Sequence, residues 1–190
     1  MKRKLILVWI LLMIAGVFTA GCTYVAFQQS QRLNAYQPAV TAAKQAVFGL
    51  KRGQKPKHAI PIITDVSTNT PFVIIYDSNK KFVVSSANVA DMGFQYPSAS
   101  LDYINKQGEN RITWQPKTGY RYATAGIKYK NYYVIGAYSL KEAENTTATF
   151  ATILFVGSVA YAAGSWILLM VLGTIALVSK DKAKRKKAVK

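Results

Sequence analysis

SLKEAENTTATFATILFVGSVAYAAGSWILLMVLGTIALVSKDKAKRKKAVK, Ser139 to Lys190, is the stretch around which the rest of the chain is organised. It carries no charged side chain between Glu144 and Lys180, and Phe150 to Val178 is a run of 29 mostly apolar and small residues. A helix rises about 1.5 Å per residue, so ~20 such residues cross the ~30 Å hydrocarbon layer of a bilayer. The run therefore predicts a membrane span. The tail sets its direction. Lys180, Lys182, Lys184, Arg185, Lys186, Lys187 and Lys190 leave the span together, opposed only by Asp181. Short basic segments stay cytoplasmic, so the C-terminus is expected inside. The same charges suit anionic lipid headgroups. The tail is short and has no aromatic residue to stack on bases, so nucleic acid is not expected as a partner.

The other end repeats the pattern. Lys2, Arg3 and Lys4 precede an apolar segment that stays uncharged from Leu5 to Phe27. Three readings compete: an uncleaved anchor, a lipoprotein signal with Cys22 acylated, and a simple cleaved signal. The first is favoured, because apolar character continues past Cys22 and Thr19 is a poor match to a lipoprotein site. All three place the following segment outside. The chain is thus expected in the plasma membrane with both termini cytoplasmic. It divides into an anchor (1–27), an extracytoplasmic domain (28–148), a transmembrane helix (149–179) and a basic tail (180–190).

Of 25 basic and 8 acidic residues in the 190-residue chain, 15 basic and 7 acidic ones lie between the spans. That excess favours contact with an anionic surface or ligand. One cysteine permits no intrachain disulfide. One histidine, His58, stands in the basic loop Lys55-Pro56-Lys57-His58, so neither a metal nor another cofactor is expected. No Gly-x-Ser-x-Gly stretch or P-loop occurs, and no second histidine can serve as a base. The chain does not read as an enzyme.

Within the outer segment, Gln28 to Gly53 reads as helix, with Val40, Ala43, Val47 and Leu50 forming one apolar stripe. Pro38 fits the first turn of a new or kinked helix, and Gly53 a stop. Ala59 to Val66 is β-branched, and Pro61 suggests an edge or irregular strand. Pro71-Phe72-Val73-Ile74-Ile75-Tyr76 is a continuous apolar run, expected as a central strand. Asp77 to Lys80 turns it into Phe82-Val83-Val84-Ser85-Ser86. Ala87 to Ala99 reads as loop. Ser100 to Gln107 fits a short helix capped by Ser100 and ended by Gly108. Asn110 to Gln115 is a strand with Ile112 and Trp114 on one face, and Pro116 to Gly119 a turn. Tyr120–Tyr129 and Asn131–Tyr138 form a second hairpin around Lys130-Asn131. Gly126 and Gly136 mark a bulge, tight packing or a ligand's approach. Ser139-Leu140-Lys141-Glu142 is a capping box that starts the last helix. Asn145-Thr146-Thr147 matches the N-glycosylation pattern, a weak signal.

These elements predict an α+β domain: a five-stranded antiparallel sheet with helices on one side, between two transmembrane helices. Pro71 to Lys80 with Phe82 to Ser86, together with Tyr132 to Glu142, resembles the extracytoplasmic PAS-like (Cache, PDC) sensor domains of bacterial receptors. There a long helix leaves the first span, a five-stranded sheet follows, and the last strand connects to the second span. Arg111-Ile112-Thr113-Trp114-Gln115-Pro116 is similar to a stretch in a group of uncharacterised bacterial membrane proteins. The resemblance implies a pocket between the sheet and its covering loops and helix. Tyr76, Trp114, Arg121, Tyr122 and Tyr133 are candidate lining residues, and Arg111 or Arg121 is a candidate carboxylate anchor. Core packing for the aromatic residues and solvation for the arginines are the competing readings. Receptors of this kind continue into an intracellular output domain. Here 11 residues follow Ser179, which implies that a signal passes to a partner membrane protein. The alternative is a structural or accessory envelope protein without a small ligand. In the second span, Ala160 and Gly164 stand four apart among other small residues, a spacing that suits a homodimer or another partner helix.

Overall fold

The computed structural model describes residues 2–61, 70–89, 91 and 93–188. Helix α1 is Lys2–Lys51, followed by a short 3-10 turn at Pro56–His58. Strands β1 (Phe72–Asp77) and β2 (Phe82–Ser85) form the first hairpin. Helix α2 (Ser98–Gln107) leads to β3 (Glu109–Lys117), β4 (Tyr120–Tyr129), β5 (Tyr132–Ser139) and helix α3 (Lys141–Ala188). The chain divides into two units, Gln28–Thr147 and the pair of terminal segments Met1–Phe27 with Ala148–Lys190.

In the first unit the five strands make one antiparallel sheet in the order β2-β1-β5-β4-β3. The apolar run Phe72–Tyr76 is buried throughout and lies between β2 and β5. A strand covered on both faces reads as a continuous rather than an alternating apolar run, as this one does. The Val73, Ile75 and Val134 side chains on one face meet Ala42, Ala43, Ala46, Val47 and Leu50 of α1. Phe72, Ile74, Tyr122 and Ile135 on the other face meet Leu101 and Ile104 of α2. The helices therefore divide between the two faces, which corrects the one-sided arrangement expected from the sequence. The α2 stripe reaches the second face because the chain crosses to it after β2.

The α1 stripe is rich in alanine, and this lets the helix approach closely. A Cβ on Gly136 of β5 would lie 2.0 Å from the Ala39 carbonyl oxygen. Gly126 is filled from the other side by Ile104. Both glycines thus serve tight packing. The second hairpin turns at Lys130-Asn131 as the sequence suggests, and α2 ends at Gly108 with φ +85°.

Several local expectations are corrected. α1 is one helix through Pro38, which starts no new segment. α2 begins at Ser98 after Pro97, whose ring has no side-chain cap to offer, so Ser100 lies inside the helix. β3 extends through Pro116 to Lys117, with a register irregularity after Trp114 that accommodates the proline. The Ser139 hydroxyl accepts from the Lys141 amide at 3.3 Å, and Glu142 accepts from the Tyr138 hydroxyl at 3.4 Å. Ser139 still belongs to β5, one residue too early to cap at Glu142. Of the proposed strand Ala59–Val66, residues 62–66 lie outside the described residues; Ala59 closes the 3-10 turn.

The second unit pairs residues of the two terminal helices in antiparallel order. Trp9 Nε1 donates to Ser165 Oγ at 3.0 Å, and the Trp9 and Trp166 rings meet edge to face at 5.1 Å. Phe27 stacks on Phe150 at 4.0 Å. The Trp9, Met13, Gly16, Ala20, Tyr24 and Phe27 positions are half-buried at three- and four-residue spacing, the seam of a helix pair. Elsewhere these surfaces expose large apolar side chains such as Leu11, Phe18, Phe155 and Ile167. Leu5–Lys51 and Lys141–Ala176 are long and apolar enough to cross a membrane.

Candidate functional site

The α2 face of the sheet gathers four of the residues singled out in the sequence. Tyr76 (β1), Trp114 (β3), Tyr122 (β4) and Tyr133 (β5) are all buried in one apolar cluster. They share a face because strand side chains alternate, and the pairings Trp114 with Tyr122 and Tyr76 with Tyr133 place them side by side across the sheet.

Ala87, Val89, Phe94 and Tyr96, from the segment between β2 and α2, pack into the same cluster. The start of that segment is fixed at Ser86, whose hydroxyl accepts from the Val73 amide at 2.8 Å and whose amide donates to the Val73 carbonyl at 2.9 Å. Its end drops Phe94 and Tyr96 onto the cluster. Trp114 contacts Phe94, Tyr96 and Tyr122 at ring separations of 6.2, 5.6 and 5.6 Å. Phe72 meets Tyr122 edge to face at 5.2 Å. These geometries are favourable for rings of opposite edge and face polarity.

The polar atoms of Trp114, Tyr76, Tyr96 and Thr124 under this cover are matched. Trp114 Nε1 donates to the Gln95 carbonyl at 3.1 Å, and the Tyr76 hydroxyl accepts from the Tyr96 amide at 3.2 Å. Thr124, fully buried, donates its single hydroxyl proton to the Ile112 carbonyl at 2.9 Å. The Tyr96 hydroxyl, 3.2 Å from Thr124 Oγ1, is therefore the donor in that pair. Burial pushes the Tyr96 phenol up to about 12, the Thr124 hydrogen bond opposing it. Burial raises the Tyr76 phenol as well. Both stay neutral near pH 7.

Arg111 and Arg121 are not part of this cluster. They occupy the alternate positions of β3 and β4 and so project from the α1 face. Arg121 pairs with Glu144 at the start of α3, and its carbonyl accepts from the Leu140 amide at 2.9 Å. Arg111 is exposed. The six candidate ligand residues thus separate into four buried aromatic residues and two arginines on the opposite side. Cys22 is exposed on α1 with a free thiol. Ala160 and Gly164 are exposed on α3, away from the positions that meet α1, and a Cβ on Gly164 would meet nothing within 4 Å.

Sequence reasoning missed Tyr96, Phe94 and Thr124. A signal for the first two was present: two aromatic residues two apart, just before Pro97, in a segment read only as loop. Among the described residues no three or more His, Cys, Asp or Glu side chains come together as metal ligands. The arrangement is a closed cluster of aromatic faces whose hydroxyl, indole and backbone groups bond within the domain. Comparison with protein-family models, curated proteins and solved structures finds no match.

Proposed function

We propose that this chain is a two-span membrane protein whose unit Gln28–Thr147 lies outside the cytoplasm as a PAS-like, sensor-type domain. It acts with a partner membrane protein and performs no catalysis itself. The observation that carries this reading is the position of β5. Its Gly136 lies directly against Ala39 of α1, and its end passes through Leu140 into α3. One central strand thus touches both helices that lead toward the apolar segments. A change in sheet curvature beneath the aromatic cluster has a short route to each of them. Packed elements shift as units rather than bend continuously, so such a route is efficient. The element order of long helix, hairpin, short helix, three strands and exit helix supports the PAS-like assignment.

In this reading a ligand enters the α2 face by displacing Phe94 and Tyr96 from the cluster. The test is a thermal-shift screen of the full chain in detergent against amino acids, short carboxylates, cell-wall fragments and nucleotides. A ligand at 100 times its Kd stabilises the fold by about 2.7 kcal/mol, a readable shift. Topology is tested by reagent labelling of cysteines placed at Lys106 and at Lys182 in intact cells. Labelling at Lys106 alone is expected; the reverse pattern overturns the orientation.

A second reading, an accessory envelope protein without a small ligand, is favoured by the closure of the aromatic face. Trp114 is 3% and Tyr122 1% exposed. A folded protein that responds to nothing in the screen supports it.

A further inference from the structure

The end of the sheet where β4 turns into β5 collects basic side chains from three separate elements. Lys51 ends α1 and Arg52 follows it, Lys55 precedes the 3-10 turn and Lys57 lies within it, and Lys128 and Lys130 stand at the β4–β5 tip. All six are exposed. Packing brings these elements together: Leu50, Ile60, Ala59, Tyr129 and Tyr132 belong to one apolar cluster. The Tyr129 ring holds two of the cations, with Lys51 Nζ at 6.0 Å and Lys130 Nζ at 5.5 Å from its centroid. Lys128 lies over Tyr133 on the other sheet face and donates to Asn105 Oδ1.

Among the described residues the acidic groups nearby do not pair with these side chains. Asp77 turns into its own hairpin, where Oδ1 accepts the amides of Asn79 and Lys81 at 2.9 and 2.8 Å. Asp102 is engaged by Lys80. Glu109 stands on β3 opposite Ile127. Among the described residues none of the six basic side chains forms an ion pair. The hairpin turns also position lysines. Among the described residues, those other than glycine with positive φ are Lys80 (φ +62°) and Lys130 (φ +49°), both at hairpin tips on this end. Tight hairpin turns call for positive φ at such positions, and here the turn holds Lys130 at the tip.

We infer that this end of the domain binds an anionic polymer carrying closely spaced phosphate or carboxylate groups. Among the described residues these like charges form no ion pair with a carboxylate, and such a surface attracts an external anion. Five of the six are lysines, and lysine acts as a point charge without the set geometry of a fork around one small group. That suits a flexible chain read by charge spacing. The inference stands whether or not the aromatic face takes a ligand.

The test uses the full chain in neutral nanodiscs, with long-chain polyphosphate and polyglutamate as probes in separate arms. Binding of either at 50 mM salt is expected, and the stronger arm identifies the anion. The variant Lys51→Gln/Lys128→Gln/Lys130→Asn should lose at least about tenfold in affinity, and its salt slope should fall by about one per lysine. Asn at 130 tolerates the positive φ, so the tip should still fold. A control with the same charge change at the other surfaces, Lys44→Gln/Lys117→Gln/Lys141→Gln, should keep its affinity within about threefold. Binding of neither probe, or equal loss in both variants, overturns the assignment.

Discussion

Gly136 and Ala39 are in contact through backbone alone: a Cβ at 136 would sit 2.0 Å from the Ala39 carbonyl oxygen and 2.9 Å from the Ala43 nitrogen. The obstacle is helix backbone, which cannot rotate aside as a side chain can. Gly136→Ala should therefore force α1 off the sheet and destabilise the domain by about 3 kcal/mol. Gly126→Ala meets the side-chain ends of Ile104 and Ile135 instead. Those ends can move, so its cost should be nearer 1 kcal/mol. Thermal unfolding of both variants, followed by near-ultraviolet circular dichroism, checks the order. Equal losses would mean that the helix shifts as readily as a side chain.

The Tyr96 phenol is raised from 10.0 to about 12 by burial. In the unfolded chain it ionises near 10, whereas in the folded chain it remains protonated to about 12. The unfolded state therefore releases its proton first as pH rises. The stabilising contribution is complete below pH 10 and is lost between about pH 10 and 12, on the order of 2–3 kcal/mol in all. Tyr76, raised in the same direction, adds to the trend. Tyr96→Phe should flatten the alkaline limb of a stability–pH curve while costing about 1 kcal/mol at pH 7 for the lost hydrogen bond. An unchanged limb would show that Tyr96 is not the group responsible.

Arg121 and Glu144 form an ion pair in which each side chain keeps 45% of its exposure. Solvent screens such a pair, and measured values for exposed pairs lie near 0–1 kcal/mol. Arg121→Ala should accordingly change stability by less than about 1 kcal/mol. Because Arg121 projects from the face opposite Trp114, any ligand-induced stabilisation through the aromatic cluster should survive this substitution. Its loss in Arg121→Ala would place the ligand on the α1 side.

That last separation was legible in the sequence by a simpler route than a pocket inventory. Arg121 and Tyr122 are neighbours on one strand, and neighbours on a strand point to opposite faces. Arg111 and Trp114, three apart, are likewise on opposite sides. The strands themselves were readable because Phe72–Tyr76 and the paired Tyr-rich segments have the composition of buried sheet. The α1 stripe was readable from its spacing. Which face each helix covers was not, since that depends on where the chain returns after β2. The Tyr96–Thr124 pair joins residues 28 positions apart through a segment of irregular backbone, and no local pattern encodes it. The shift of the expected cap at Ser139 had a similar cause: pairing with Tyr122 keeps Ser139 in the strand and delays the helix.

The helix pair of the second unit yields a contrast between two glycines. Gly16 faces Tyr161, with a Cβ placed 3.4 Å from the ring, whereas a Cβ on Gly164 meets nothing within 4 Å. A leucine at 16 must push the helices apart and strain the Trp9–Ser165 hydrogen bond, worth about 0.6 kcal/mol in membrane helices. A leucine at 164 has space within the chain. Gly16→Leu should therefore weaken pairing of the two terminal segments, read as reduced disulfide formation between cysteines introduced at Phe27 and Phe150 in a Cys22→Ser background. Gly164→Leu should leave that cross-link intact. If Gly164→Leu instead reduces association between chains in a membrane two-hybrid assay, the exposed small-residue face meets a second helix. If neither readout changes for Gly164→Leu, that face meets lipid, and the route to a partner must run through the sheet domain rather than through the spans.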